Sequence, residues 1–265
     1  MMHNSVLKLA VASVVTVCFV VCSSFTPINT YSTRANFLAA DNLGNFYSAG
    51  NNRIVKFNND GKFLALYEEF KYGKVGMADV TNPMKILVYY PDFQTVVTLD
   101  RFLSPLSRYS FFDLGYQNVL AVGSSTDGRL WFYDNVDFKL KKIDETGKIF
   151  RESQPLNVLL NESPTPNFIL ERDNAVYVND PNIGILVFDF FGSYIKTIPL
   201  KGLIKFQVLQ QQIVFFENSA LHSYNTFSLD KNIMTLPDTA NVAHAVIDKN
   251  RLAVLKSDRV DFYSY

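Results

Sequence analysis

The chain has 265 residues, 25 Lys+Arg against 25 Asp+Glu, 48% hydrophobic and 14% aromatic residues, and only 2 Cys and 3 His. So many aromatics exclude a disordered chain, and the charge balance excludes a nucleic-acid binder driven by phosphate contacts. The cysteine count excludes a disulfide scaffold or a multi-cysteine zinc protein.

Met1 to Lys8 is a short polar start with one firm positive charge. Leu9 to Cys22 follows as the run LAVASVVTVCFVVC. It is too short to span a bilayer comfortably, and its flanks fit a secretory signal peptide over residues 1–24. Both cysteines, Cys18 and Cys22, fall inside it. Two cleavage readings stay open. A lipoprotein signal peptidase would make Cys22 the lipidated first residue, although Val21 is larger than the small residue usual before that cysteine. Ordinary signal peptidase would cut after Ser23 or Ser24. Under either reading the mature fold holds no disulfide, and residues 25–265 form one domain. Without Lys8 the charge is −1, so any membrane attachment must come from lipid or from a partner.

Self-similarity runs through the rest. Six stretches begin at Asp41, Thr81, Ser125, Glu171, Leu209 and Ile247. Each repeats a turn, an apolar strand, a polar loop, a second strand and a tight turn. Equivalent apolar positions are Phe46, Ile86, Leu130, Val176, Ile213 and Leu252, spaced by 40, 44, 46, 37 and 39 residues. That period is one four-stranded propeller blade. Strands rich in Val, Ile, Phe and Tyr, with turns such as Asn59-Asp60-Gly61 and Glu145-Thr146-Gly147, agree with it. The expectation is an all-β, six-bladed β-propeller. The first blade reads Phe37–Asp41, Asn45–Ala49, Arg53–Phe57 and Phe63–Tyr67. The last has only three strands, Val242–Ile247, Arg251–Leu255 and Val260–Ser264, before the chain ends. The segment Phe25–Tyr31 is therefore expected to supply the missing outer strand and close the ring.

The run Asn51-Asn52-Arg53-Ile54-Val55-Lys56-Phe57-Asn58-Asn59-Asp60-Gly61-Lys62-Phe63 closely resembles the NHL repeat of six-bladed propellers. Phe138–Ile149 and Ile185–Gly192 resemble it too. The signal, the lipidation candidate and the aromatic-rich blades together resemble envelope proteins of the Bacteroidota. Asp238-Thr239-Ala240 fits that phylum's short O-glycosylation motif. Propellers host many functions, so the resemblance implies a fold more than an activity.

Catalytic chemistry finds little footing. After the signal only His222 and His244 remain, too few for a three-histidine metal site. His222 lies on an expected third strand and His244 on a channel-lining first strand. Asp41, Asp79, Asp127, Asp173 and Asp248 recur near the first turn of the blades, where Asp is an ordinary turn residue. The loops between second and third strands pair aromatics with polar groups. Tyr89, Tyr90, Phe93 and Tyr133 form the candidate binding patch, with Asp92, Asp134 and Asp180 as polar orienters. The leading reading is a non-enzymatic scaffold of the bacterial envelope. It would engage a protein partner, or alternatively a glycan, without nucleic acid, cofactor or metal. The alternative is a lactonase-like, divalent-metal hydrolase or lyase with its site in the central channel.

Overall fold

The computed structural model describes residues 26–264. The signal segment with Cys18 and Cys22 lies outside them. Pro27 has no N–H to give a sheet, and the first strand, β1, is Asn29–Ser32. Blade one follows as β2 (Phe37–Ala40), β3 (Phe46–Gly50), β4 (Arg53–Phe57) and β5 (Phe63–Glu68). Blade two is β6 (Met77–Asp79), β7 (Ile86–Tyr90), β8 (Thr95–Leu99) and β9 (Pro105–Ser110). Blade three is β10 (Val119–Ser124), β11 (Leu130–Asp134), β12 (Lys139–Ile143) and β13 (Ile149–Glu152). A short helix, α1 (Leu156–Leu160), leads on to blade four: β14 (Phe168–Arg172), β15 (Ala175–Asp180), β16 (Gly184–Asp189) and β17 (Tyr194–Ile198). Blade five is β18 (Gln207–Leu209), β19 (Gln212–Glu217), β20 (Ala220–Asn225) and β21 (Lys231–Thr235). The sixth has β22 (Val242–Asp248), β23 (Arg251–Lys256) and β24 (Arg259–Ser264), with β1 added outside β24.

The ring is thus closed by the N-terminal strand, as the strand count requires. β1 runs antiparallel to β24 with Asn29 opposite Phe262 and Ser32 opposite Arg259. It starts later than the sequence suggests because Pro27 cannot donate to the ladder, whereas Ile28 donates its N–H to the Phe262 carbonyl. Tyr31 also reaches across to blade one, its ring 4.9 Å from that of Phe57 and 6.0 Å from that of Phe63. One strand therefore completes blade six and ties it to blade one.

Successive residues of a strand point to opposite faces of the sheet. In β7, Ile86, Val88 and Tyr90 pack toward blade one, while Leu87 and Tyr89 pack toward blade three. All five are buried. Polar clamps cross the same interfaces. Gln94 accepts the Val119 N–H at 2.7 Å and donates to its carbonyl at 3.2 Å. Gln207 does the same for Ile247 between blades five and six. Glu171 of blade four is buried and accepts from Ser125, Thr126 and the Trp131 indole of blade three. These four donors hold its carboxyl below the usual range against the opposing effect of burial.

The turn between third and fourth strands also repeats. Asn58, Asp100, Asp144, Asp189 and Asn225 each accept two backbone N–H groups of their own turn. A positive-φ residue closes each turn: Gly61, Gly147 and Gly192 in three blades, but Leu103 (φ 65°) and Leu229 (φ 65°) in blades two and five. Those two leucines are why the second and fifth repeats look degenerate in sequence yet fold alike.

Removing residues 26–32 bares the β24 edge and the Phe57 face. The melting temperature is expected to fall by about 10 °C or more, and an unchanged melting curve contradicts closure by β1. A Cβ on Gly61 (φ +75°) would strike the Phe262 ring of the neighbouring blade. Gly61→Ala is expected to cost about 2–4 kcal/mol in denaturant unfolding, from strain and overpacking together; an unshifted midpoint would show that the turn is free to move.

Candidate functional site

The candidate patch does not stand on the surface as a unit. Tyr89, Tyr90 and Tyr133 are buried. Tyr89 donates its hydroxyl to the Val119 carbonyl at 2.7 Å, and Tyr90 packs its ring 5.6 Å from that of Tyr72. Burial pushes all three phenols well above their ordinary pKa. Asp134 and Asp180 are buried too. Asp134 pairs with Lys141 at 2.8 Å and accepts the Val136 N–H. Asp180 accepts backbone N–H groups of Thr165, Asn182 and Ile183. Only Asp92 and Phe93 of the set are exposed. They sit on a single turn of 3-10 helix, Pro91–Phe93, between β7 and β8.

Strand order divides the loops between two faces. Connections from first to second and from third to fourth strands lie on one face. Connections from second to third strands, and those between blades, lie on the other. The interblade connections cross their face from rim to axis. They carry Phe70 (76% exposed), Val158 (77%) and Ile204 (71%), beside Phe93 (52%) and Val136 (61%). The opposite face also exposes large apolar groups, Phe102, Phe190, Phe191 and Phe227 among them. There they occupy third-to-fourth turns, which lie toward the rim.

The central channel is lined mainly by the first strands of the blades and holds a cavity of about 90 Å³. Its two ends differ. One mouth is polar, with Asp41, Thr81, Arg172 and Asp248. Asp41 is buried and fully engaged, accepting from Leu43, Asn45 and the Tyr47 hydroxyl. Asp79 accepts from Thr81 and from Ser124 of the next blade. Burial, with Asp41 as a secondary cause, raises the Asp248 carboxyl against the pull of Lys249 and Arg172. Among the described residues, no three His, Cys, Asp or Glu side chains converge as a metal-ligand group.

Toward the other end stand Phe168, Lys205 and His244, with the Phe37 ring against Lys205. His244 accepts the Leu38 N–H on Nδ1 at 3.3 Å, so its neutral ring carries the proton on Nε2. Burial, with Lys205 adding repulsion, lowers its pKa to about 3. His222, in contrast, stacks on Phe215 at 5.4 Å outside the channel. Lys205 is the residue sequence reasoning missed. It lies in the interblade connection before β18, within KGLIKF, where a lysine reads as an ordinary loop residue. The structure leaves it 9% exposed. Its Nζ stands 3.6 Å from the Phe37 ring centroid and 4.9 Å from that of Phe168, and it has no hydrogen-bond partner among the described residues. Burial outweighs the attraction of Asp79 and lowers its pKa to about 7.

No family model matches the chain, and no curated protein matches its sequence. Solved propellers do match. A chain of the mitotic checkpoint complex is similar at 11% identity and TM-score 0.64, covering 99% of both chains. A streptogramin B lyase is similar at 16% identity and TM-score 0.56, covering 90% of this chain and 88% of that one. BamB from Moraxella catarrhalis is similar at 11% identity and TM-score 0.51, covering 88% and 85%. At such identities the likeness is one of fold.

The histidine sets a pH signature. With its folded pKa at about 3 against 6.5 for an ordinary imidazole, the unfolded chain binds the extra proton between these limits. His244's contribution is complete above pH 6.5 and is lost progressively as pH falls toward 3. Stability is expected to drop by about 2 kcal/mol between pH 6.5 and 5 from this group alone. Denaturant titrations of wild type and His244→Gln should differ in that slope; parallel curves would mean that the ring is solvated in the folded state.

Proposed function

We propose that the protein is a non-enzymatic binding scaffold of the bacterial envelope. It engages a protein partner through the face formed by the second-to-third-strand loops and the interblade connections. The carrying observation is that this face presents Phe70, Phe93, Val158 and Ile204 from separate connections around the ring. Exposed apolar groups of this size mark interaction surfaces, and rigid aromatics make anchors at small entropic cost. Asp92 and Phe93 keep the roles given to them on the sequence, while the buried tyrosines act as their foundation. The repeated Asx turns support an NHL-like reading of the blades. The similar propellers include a lyase as well as a chain of a multi-protein complex, so fold likeness alone favours neither activity. The locally engaged Asp41 and Asp79 support the scaffold over a lactonase-like enzyme.

The anchor reading acquires a direction. β1 runs toward the proposed binding face, so its start at Asn29 lies at the opposite face, beside the end of β24. A lipid on Cys22 would leave from there, on a segment reaching at most about 25 Å. The binding face would point away from that membrane, toward a soluble partner or a projecting domain of a membrane protein. Cleavage after Ser23 or Ser24 would free the same face in solution.

Three tagged forms test the face: wild type, Phe70→Asp with Phe93→Asp, and Phe227→Asp as an opposite-face control. All replace exposed side chains, so their melting curves should coincide. The partner purified with wild type should persist with the control and fall by about tenfold or more with the double variant, as loss of an anchor predicts. Equal recovery from the double variant removes this face from the account.

A further inference from the structure

We propose that the face opposite the partner-binding one docks on a lipid bilayer. Phe102, Phe190, Phe191 and Phe227, at the tips of its third-to-fourth turns, sink into the headgroup layer. This docking goes beyond the partner-binding reading and stands whether or not that reading does.

Turn chemistry does not call for these phenylalanines. Each third-to-fourth turn is fixed by its Asn or Asp, which accepts two backbone N–H groups, and by the positive-φ residue that closes it. The places between are free. Blades one and three fill them with Asn59-Asp60 and Glu145-Thr146, the polar residues that turns ordinarily carry. Blades two, four and five instead set Phe102, Phe190-Phe191 and Phe227 there. All four side chains are exposed, Phe227 to 85%. Apolar area of that size left in water marks a surface that something covers. The three turns stand apart around the ring, with polar turns between them. Anchors for a protein partner cluster at the centre of one contiguous contact, whereas a headgroup layer takes each aromatic tip separately.

The chain enters the ring from this same face. β1 begins at Asn29, opposite Phe262, close to where β24 ends at Ser264. Six residues separate Asn29 from Cys22, the last residue of the apolar run Leu9–Cys22. Attachment to a bilayer through that run brings these turns, not the opposite face, against the lipid, where short tethering raises their local concentration. Cations flank two of the tips. The Arg101 guanidinium stands 4.6 Å from the Phe102 ring centroid and that of Arg151 5.4 Å from the Phe191 centroid, so both are placed to reach lipid phosphates as the rings sink. In the polar turns Asp60 and Glu145 offset Lys62 and Lys148. Net attraction to anionic lipid is therefore small, and apolar burial drives the docking.

The probe is a phosphatidylcholine vesicle with bromine near the top of the acyl chains, mixed with the full chain carrying Phe102→Trp, Phe191→Trp or Phe227→Trp. Phe93→Trp reports the opposite face. All four substitutions replace exposed side chains, so the fold is kept, and the fully buried Trp131 sets the background in wild type. The chain is expected to float with the vesicles. Each turn tryptophan should shift to the blue and lose about half or more of its own emission to bromine, as a ring at headgroup depth does. Phe93→Trp should keep its emission. Failure of the wild-type chain to float, or turn tryptophans quenched no more than Phe93→Trp, overturns the proposal; the second result would leave these turns for a protein.

Discussion

A four-stranded sheet with large apolar side chains on both faces cannot stand alone in water, and every blade of this protein is such a sheet. Each needs a neighbour on both sides, and only a closed ring gives all six that cover. The contact that completes it is β1 against β24, with Tyr31 seated on the Phe57 ring of the next blade. The rest of the structure depends on this closure. It turns both faces of β7 inward, buries Tyr89 and Tyr90 together, and brings the first strands around one axis. Gln94, Glu171 and Gln207 then find their partners across blade boundaries. None of these contacts is local in sequence, so closure is also where cooperativity must come from.

The legible parts of this fold are those set by local chemistry. The spacing from Phe46 to Leu252 reports the blade, and Asn58, Asp144 and Asp189 with their glycines report the turns. The missing strand of the last blade follows from counting. Where a leucine takes the positive-φ place, as Leu103 and Leu229 do, the turn persists but its signature disappears. The candidate site was less legible for a different reason. Tyr89 and Tyr90 read as surface aromatics because they stand at the join of second and third strands beside polar residues, and in most antiparallel sheets one of two adjacent strand residues faces solvent. A ring has no solvent side for its inner strands. Lys205 was hidden because its environment is made by Phe37 and Phe168, which lie 168 and 37 residues earlier in the chain.

The channel and the loop face suit different work. The channel has a polar mouth, an aromatic end and room for only a small guest. The face formed by the interblade connections is broad, and its apolar side chains stand over the buried tyrosines. Rigidity links the two: on the proposed reading, a face built on clamped blades would hold its anchors in place before a partner arrives, which reduces the ordering cost of binding. On the proposed reading, the course of β1 would start a lipid tether from the opposite face, so attachment to a membrane and engagement of a partner would not compete for the same surface.

Amide hydrogen exchange of the intact chain tests the closure most directly. Local opening energies distinguish a docked strand from a loosely held tail. The amides of β1 that bond to β24, together with the Ile28 and Thr33 N–H groups that bond to Phe262 and Asp258, should be protected to the same degree as those of β23 and β24. They should open with these strands as one unit. Rapid exchange of the β1 amides, with β23 and β24 still fully protected, would contradict the account: the ring would then be stable without its closing strand.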